Sequence, residues 1–155
     1  MGNRVKIVED DLSGPQIALF LDEHVQQMRS ITPLESVHAL DLDGLRRPGI
    51  TFWSVLDDDC VVGCGALRRL NADHAELKAM RTRPTRKRSG IASLLLAHII
   101  TQAQRAEFNR ISLETGAAPF FLPARKLYEK FGFEYCEPFA DYRPDRSSAF
   151  MTREL

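Results

Sequence analysis

The chain has 155 residues, of which 44% are hydrophobic and 27% are charged, so it is long enough to bury one substantial core. We expect residues 1–155 to form a single domain. Lys and Arg number 21, as do Asp and Glu, and this balance disfavours nucleic acid or an anionic membrane as partner.

The first third of the chain predicts one strand followed by two helices. Residues 5–9 alternate weakly, which is typical of a strand, and Ser13-Gly14-Pro15 opens a helical pattern through about residue 28. Residues 30–34 break that pattern. A second helical stretch covers residues 35–47 and ends at Pro48-Gly49.

Three β-rich runs follow, at residues 50–56, 61–70 and 75–82. The three aspartates at 57–59 favour a tight hairpin between the first two runs, and we expect all three to form an antiparallel meander. Residues 89–108 then show a long apolar helical pattern, with Asn109 as the expected C-terminal cap.

The last third predicts a strand, a short helix and two further strands. The strand covers residues 110–115, the helix covers 123–131 and ends at Gly132, and the final strands cover 133–137 and 149–153. The order of elements along the whole chain indicates an α/β or α+β domain with a mixed sheet.

Three cysteines, Cys60, Cys64 and Cys136, form no C-x-x-C pair, which argues against a disulfide framework and against a zinc site. The first residues lack the apolar run of a signal peptide, and no segment approaches the ~20 apolar residues that cross a bilayer. We expect a cytoplasmic protein without a metal and without a membrane partner.

A basic turn joins the third β-rich run to the long helix. It contains five cations within eight positions: Arg81, Arg83, Arg86, Lys87 and Arg88. Backbone N–H groups at a helix start bind anions, and the helix dipole adds positive potential there. Gly90 would let the backbone approach a pyrophosphate closely. Taken alone, the turn is equally compatible with a solvated surface loop.

Two motifs resemble those of the GNAT family of acetyltransferases. Residues 87–92, Lys-Arg-Ser-Gly-Ile-Ala, resemble its coenzyme A motif, Gln/Arg-x-x-Gly-x-Gly/Ala, with Lys87 replacing the first residue. Residues 128–133, Tyr-Glu-Lys-Phe-Gly-Phe, resemble its Tyr-x-x-x-Gly-Phe block. The resemblance implies a mixed, mostly antiparallel sheet of about seven strands flanked by about four helices. It also implies an N-acetyltransferase that uses acetyl-CoA.

The same resemblance implies where acetyl-CoA binds. One strand is expected to splay from its neighbour, so that the pantetheine arm lies between residues 79–82 and 113–115 and meets unpaired backbone groups. The implied contacts with acetyl-CoA are Met80, Thr82, Lys87, Arg88, Ser89, Gly90, Ile91 and Ala92, with Lys126 as a further phosphate contact. The side chain of Met80 is equally compatible with core packing.

An alkylamine with a pKa of ~10 is protonated at neutral pH, so its direct attack on a thioester requires a base or a water chain. Glu76 resembles the base of histone-type family members, although an alternating strand also carries surface carboxylates. Glu35, His38 and Glu114 are weaker candidates. Tyr128 matches the family's general acid for the thiolate, and its alternative is a half-buried aromatic packing residue. We expect direct transfer in a ternary complex.

The acceptor is expected to be a primary amine of a small molecule. A protein N-terminus or lysine is the alternative within enzymes, and a non-catalytic acyl-CoA-binding module is the alternative outside them. Glu35 and His38 are candidate acceptor contacts in the second helical stretch, and Tyr142 and Arg143 lie on the last connection. Homodimers are common in the family, but no feature of this sequence establishes one.

Overall fold

The structure, a computed structural model, describes residues 5–31, 42–83 and 90–155. Within these ranges the strands are β1 (Val5–Glu9), β2 (Ile50–Asp57), β3 (Cys60–Arg69), β4 (His74–Thr82), β5 (Arg110–Gly116), β6 (Glu134–Tyr135) and β7 (Ser148–Glu154). The helices are α1 (Pro15–Ile31), α2 (Leu42–Leu45), α3 (Ile91–Arg105) and α4 (Leu122–Lys130), and a 3₁₀ turn at Pro119–Phe121 precedes α4.

The strands form one seven-stranded sheet in the order β1-β2-β3-β4-β5-β7-β6. Neighbouring strands are antiparallel except β4 and β5, which are parallel and are connected through α3. The predicted meander of β2, β3 and β4 is confirmed. The predicted fold class, a mixed and mostly antiparallel sheet of about seven strands with about four helices, is confirmed as well.

Helices cover both faces of the sheet. One core cluster includes Leu77 of β4 together with Leu95 and Ile99 of α3, and we call this side the α3 face. The other cluster joins Ile17 and Phe20 of α1 to the sheet, and we call this side the α1 face. Successive strand residues point to opposite faces, so the residues on either side of Leu77 along β4 point to the α1 face.

α3 lies close to β3 because β3 carries glycine where the two meet. A Cβ atom added at Gly65 would lie 2.7 Å from Met80 Sδ and 2.9 Å from Ile99 Cδ1, and one at Gly63 would lie 3.1 Å from Ile91 Cγ2. Atoms this close would have to move apart. The glycines of β3 therefore fix how near the start of α3 comes to the sheet.

The predicted C-terminal end of the long helix is wrong. α3 ends at Arg105, and Glu107 adopts a left-handed φ of 66°. The N–H of Phe108 donates to the carbonyl of Ala103 at 3.1 Å, which is the hydrogen bond of a Schellman motif. The Phe108 ring is buried next to this end of the helix. Asn109 does not cap the helix, since its N–H donates to the Asp73 carbonyl at 2.7 Å.

Two other predicted boundaries also differ from the structure. α2 spans Leu42–Leu45, so the predicted helix does not extend to residue 47, while its residues 35–41 lie outside the described ranges. β6 is shorter than the predicted strand at 133–137. Phe133 closes α4 instead of pairing with β7, because its N–H donates to the Tyr128 carbonyl at 3.0 Å.

Candidate functional site

β4 and β5 pair at one end only. Their parallel register runs from His74 to Leu77 on β4, although β4 continues to Thr82. A β-bulge follows the paired part, because Ala79 and Met80 together lie opposite the single residue Gly65 of β3, and Ala79 has a φ of 57°. A bulge bends its strand and increases the local twist. The carboxyl ends of β4 and β5 therefore separate.

This separation leaves backbone N–H and C=O groups outside the β4–β5 ladder, on residues 78–82 of one strand and 114–116 of the other. Backbone polar groups that a ladder leaves unpaired need another hydrogen-bonding partner. An extended ligand that carries amide groups, as the pantetheine arm does, fits such a gap.

The N-terminus of α3 follows the basic turn, in the order that the coenzyme A motif requires. Gly90 occupies the cap position with a φ of 85°, and it offers no side chain to cap the helix. The first N–H groups of a helix have no partner within it, so those of Ile91 and Ala92 are suited to an anion. No atom lies within 4 Å of a Cβ atom built at Gly90, which leaves room there for a ligand.

Three predicted contacts of the turn, Lys87, Arg88 and Ser89, lie outside the described residues. Met80 packs its sulfur against Gly65, so its side chain contributes to the core and only its backbone faces the gap. Thr82 pairs with Gly63 at the end of β4. Lys126 is exposed on α4.

Tyr128 lies on α4 within the core cluster of the α3 face. Only 6% of the residue is exposed, and its ring centroid lies 5.7 Å from that of Phe133. Burial raises the pKa of the Tyr128 phenol above its ordinary value, and the charge of Glu114 raises that pKa further. The phenol is therefore protonated at neutral pH, as a general acid must be.

Glu76 lies on the α1 face and is 1% exposed, so it is not the solvent-exposed carboxylate that an alternating strand also allows. Tyr142 Oη donates to its Oε2 at 2.5 Å, and Lys78 Nζ donates to the same oxygen at 3.1 Å. Arg68 Nη1 lies 3.5 Å from Oε1. The buried negative charge is thus balanced by two cations, and a phenol donates a hydrogen bond to it, as buried charges require.

Tyr142 belongs to the segment between β6 and β7. Its ring centroid lies 5.1 Å from that of Phe139 and 5.5 Å from that of Phe150. Its hydroxyl also accepts a hydrogen bond from Lys78 Nζ at 3.1 Å. Burial raises the pKa of the Tyr142 phenol, and the charge of Glu76 raises it further.

The two predicted catalytic residues lie on opposite faces of the sheet, near the point where β4 and β5 separate. Glu114 of β5 accepts a hydrogen bond from Ser148 Oγ at 2.7 Å, and its charge raises the pKa of both Tyr128 and Tyr142. A group lying in the gap would have a buried carboxylate toward one face and a buried phenol toward the other. The arrangement suits proton removal on one side and proton donation on the other.

Sequence reasoning did not predict the partners of Glu76. The contact with Lys78 could have been predicted, because Lys78 lies two residues along the same strand and so shares the face of Glu76. The contact with Arg68 could have been predicted from the hairpin, which pairs Arg68 directly with Glu76. No local signal links Tyr142 to a residue 66 positions earlier. The candidate acceptor contacts Glu35 and His38 lie outside the described residues.

Within residues 5–31, 42–83 and 90–155, no group of three or more His, Cys, Asp or Glu side chains is placed to hold a metal ion. No helix in these ranges is long and apolar enough to span a membrane. An open cleft that includes His74 and Arg110 lies where β4 and β5 begin, at the other end of these strands from the gap.

Comparisons with known proteins agree with this geometry. A model of the acetyltransferase (GNAT) family matches residues 17–133. The chain is 51% identical over 146 residues to YsnE of Bacillus subtilis, described as an uncharacterized N-acetyltransferase, with 94% of this chain and 97% of YsnE covered.

Solved structures share the fold. An acetyltransferase from Streptococcus agalactiae superimposes with a TM-score of 0.76 at 23% identity, covering 98% of this chain and 99% of that one. A GNAT acetyltransferase from Elizabethkingia anophelis with acetyl-CoA bound gives a TM-score of 0.66 at 16% identity, with 99% of each chain covered. The chain belongs to the GNAT family of acetyltransferases.

Proposed function

We propose that the protein transfers the acetyl group of acetyl-CoA to a primary amine of a small molecule, by direct attack in a ternary complex. The observation that carries this proposal is the gap between β4 and β5, which lies between the start of α3 and the buried Glu76 with its partner Tyr142. We further propose that residues 1–155 form one acetyltransferase domain. A reducing compartment such as the cytoplasm is consistent with the free cysteines Cys60, Cys64 and Cys136.

The acetyl-CoA site comprises the gap and the N-terminus of α3. The pantetheine amides would meet the backbone of Met80 and Thr82, and the pyrophosphate would meet the N–H groups that follow Gly90. Lys87, Arg88, Ser89 and Lys126 would add hydrogen bonds and positive charge for the phosphates. The bound acetyl-CoA in a relative of the same fold supports this donor.

The chemistry requires a base for the amine and an acid for the leaving thiolate. We assign Tyr128 as the acid, because burial raises its pKa and so keeps its proton in place. We assign Glu76 as the base, because it is a buried carboxylate at the edge of the gap on the α1 face. Glu35 and His38 remain candidate acceptor contacts.

A protein N-terminus or lysine as acceptor, and a module that binds acyl-CoA without catalysis, are the competing functions. Both share the proposed acetyl-CoA site. They are distinguished by turnover, since only the small-molecule enzyme releases coenzyme A at a rate that depends on added small amines.

The first test is calorimetric titration with acetyl-CoA of the wild type and a Gly90→Glu variant. The variant adds a carboxylate where we place the pyrophosphate, and like charges at close range repel. We expect the dissociation constant for acetyl-CoA to rise at least about tenfold, which corresponds to ~1.4 kcal/mol of binding free energy.

Gly49→Glu provides a matched control. Gly49 has a φ of 86° and no atom within 4 Å of a built Cβ, which are nearly the same conditions as at Gly90. Gly49 directly precedes β2, and its carbonyl accepts a hydrogen bond from the N–H of Arg69, the last residue of β3. Equal weakening in both variants would contradict the pyrophosphate assignment. Absence of acetyl-CoA binding by the folded wild type would overturn the proposed function.

A further inference from the structure

Glu76, which we assign as the base, is covered by the side chain of Tyr142. Glu76 is 1% exposed, whereas Tyr142 is only partly buried. Tyr142 and Lys78 both donate to Oε2, and Arg68 lies beside Oε1. An amine that reached Glu76 directly would have to displace one of these groups from a carboxylate that needs them for charge balance.

The Tyr142 hydroxyl can connect an amine to Glu76 while Glu76 keeps the three groups that contact its carboxylate. A phenol oxygen donates one hydrogen bond and has two lone pairs that accept. In the structure its proton points to Glu76, while Lys78 donates to the oxygen. The chemistry of the group therefore allows it to take a proton from one partner while giving its own proton to another.

We infer that Tyr142 relays the proton of the acceptor amine to Glu76, and this inference rests on the proposed function. As the ammonium of the acceptor gives a proton to Tyr142 Oη, the phenolic proton moves to Glu76 Oε2. The two transfers are concerted, so a free phenolate never forms. This is consistent with the direction of the Tyr142 pKa shift, because its surroundings disfavour the ionised phenol.

The protons balance. Conversion of an ammonium into a secondary amide removes two protons from nitrogen. The first passes through Tyr142 to Glu76 and then to solvent. The carbon–nitrogen bond forms, the carbon–sulfur bond breaks, and Tyr128 protonates the thiolate. The second proton from nitrogen restores the proton of Tyr128.

The charged groups around Tyr142 come from three strands. Arg68 of β3 and Lys78 of β4 are cations, and Glu76 of β4 and Glu114 of β5 are anions. Positive charge near an amine favours its neutral form. Lys78, which contacts the relay oxygen itself, therefore assists the removal of a proton from the acceptor.

Tyr142→Phe tests the relay, because phenylalanine retains the ring that packs on Phe139 and Phe150 and removes only the hydroxyl. The control is Tyr135→Phe, which removes the hydroxyl of a tyrosine that is 57% exposed on β6. The probes are 2-phenylethylamine and its β,β-difluoro analogue, two amines of similar size. Fluorine lowers the amine pKa, so more of the analogue is unprotonated at neutral pH.

We expect Tyr142→Phe to lower kcat/KM for 2-phenylethylamine about 100-fold at neutral pH, a typical contribution of general base catalysis. The loss should be several-fold smaller for the difluoro analogue. It should also shrink about tenfold per pH unit as pH rises toward the amine pKa, because more amine is then unprotonated. Tyr135→Phe should match the wild type, and the dissociation constant for acetyl-CoA should be unchanged in both variants.

A merely structural role for Tyr142 predicts an equal loss for both amines at every pH, and that result would overturn the relay. An unchanged kcat/KM in Tyr142→Phe would overturn it as well, while leaving the proposed function intact. If the wild type releases no coenzyme A with these or any other small primary amines, the proposed function fails, and the relay fails with it.

Discussion

At the scale of single residues, Tyr128 gives the most direct prediction about the leaving group. Replacement by phenylalanine keeps the ring that packs near Phe133 and removes the acidic proton. We expect kcat to fall about 100-fold, as is typical when a general acid is removed. The dissociation constant for acetyl-CoA, measured by calorimetry, should change little. An equal loss in Tyr135→Phe would show that the effect does not belong to this position.

The pH profile checks the same assignment. Burial raises the pKa of Tyr128 above the ordinary phenol value, so the acid keeps its proton throughout the range below pH ~10. The rate should therefore not fall on the alkaline side within this range. An alkaline fall near pH 8, absent from Tyr128→Phe, would contradict the predicted direction of the pKa shift.

The candidate site residues differ in how far the sequence alone predicts them. Gly90 was predicted in the turn that leads to α3, because a glycine in a basic turn carries its own local signal, but the helical pattern was expected to begin at residue 89 and α3 begins at Ile91. The contact between Glu76 and Tyr142 was not predictable, because it depends on how the segment before β7 packs across the sheet. Contacts that join distant segments appear only when the whole fold is known.

At the scale of elements, the packing of α3 on β3 depends on Gly65. A methyl group there would meet Met80 Sδ at 2.7 Å and Ile99 Cδ1 at 2.9 Å. We expect Gly65→Ala to lower the free energy of unfolding by about 1–3 kcal/mol, as is typical of overpacking in a core. Chemical denaturation followed by circular dichroism measures this change.

Gly14→Ala is the control for this substitution. Gly14 has no atom within 4 Å of a built Cβ and no left-handed φ, so its replacement should change the free energy of unfolding by no more than about 0.5 kcal/mol. Because Met80 also borders the gap in which we place acetyl-CoA, Gly65→Ala should weaken acetyl-CoA binding too. Unaltered stability in Gly65→Ala would show that α3 and Met80 can move apart freely.

Element type was more predictable than element boundaries. The strands of the meander and the body of α3 follow from period-two and helical patterns that span many residues. The end of α3 at Arg105 was missed, because Glu107 adopts a left-handed conformation that glycine or asparagine usually marks. The bulge at Ala79 was missed for the same reason, and it is the feature that separates β4 from β5.

At the scale of the whole molecule, the order of strands was predictable only through the resemblance to a family. Residues 50–82 indicate a meander by their short connections, but nothing in the alternation of β7 indicates that it lies between β5 and β6. That placement pairs Glu114 with Phe150 and brings Ser148 within hydrogen-bonding distance of Glu114. The part of the site formed by the C-terminal strands therefore depends on topology rather than on local pattern.

The stability of the whole molecule should fall at alkaline pH. Among the described residues, burial raises the pKa of four groups: Cys64, Cys136, Tyr128 and Tyr142. In the unfolded chain these groups lose their protons near the ordinary values of about 8.5 for Cys and 10 for Tyr. The folded protein retains those protons to higher pH. Above these values the unfolded state binds fewer protons than the folded state, so the free energy of unfolding decreases as pH rises.

Urea denaturation at a series of pH values from about 7 to 11 measures this decrease, because the ordinary pKa values lie within that range. Each retained proton contributes a slope of up to ~1.4 kcal/mol per pH unit. In Tyr128→Phe one such proton is absent, so above pH ~10 the slope should be shallower than in the wild type by up to this amount. Since deprotonation of surface lysines affects both proteins alike, the difference between the two slopes isolates Tyr128. Identical slopes would mean that the phenol ionises in the folded protein as readily as in the unfolded chain, which would contradict the raised pKa of Tyr128.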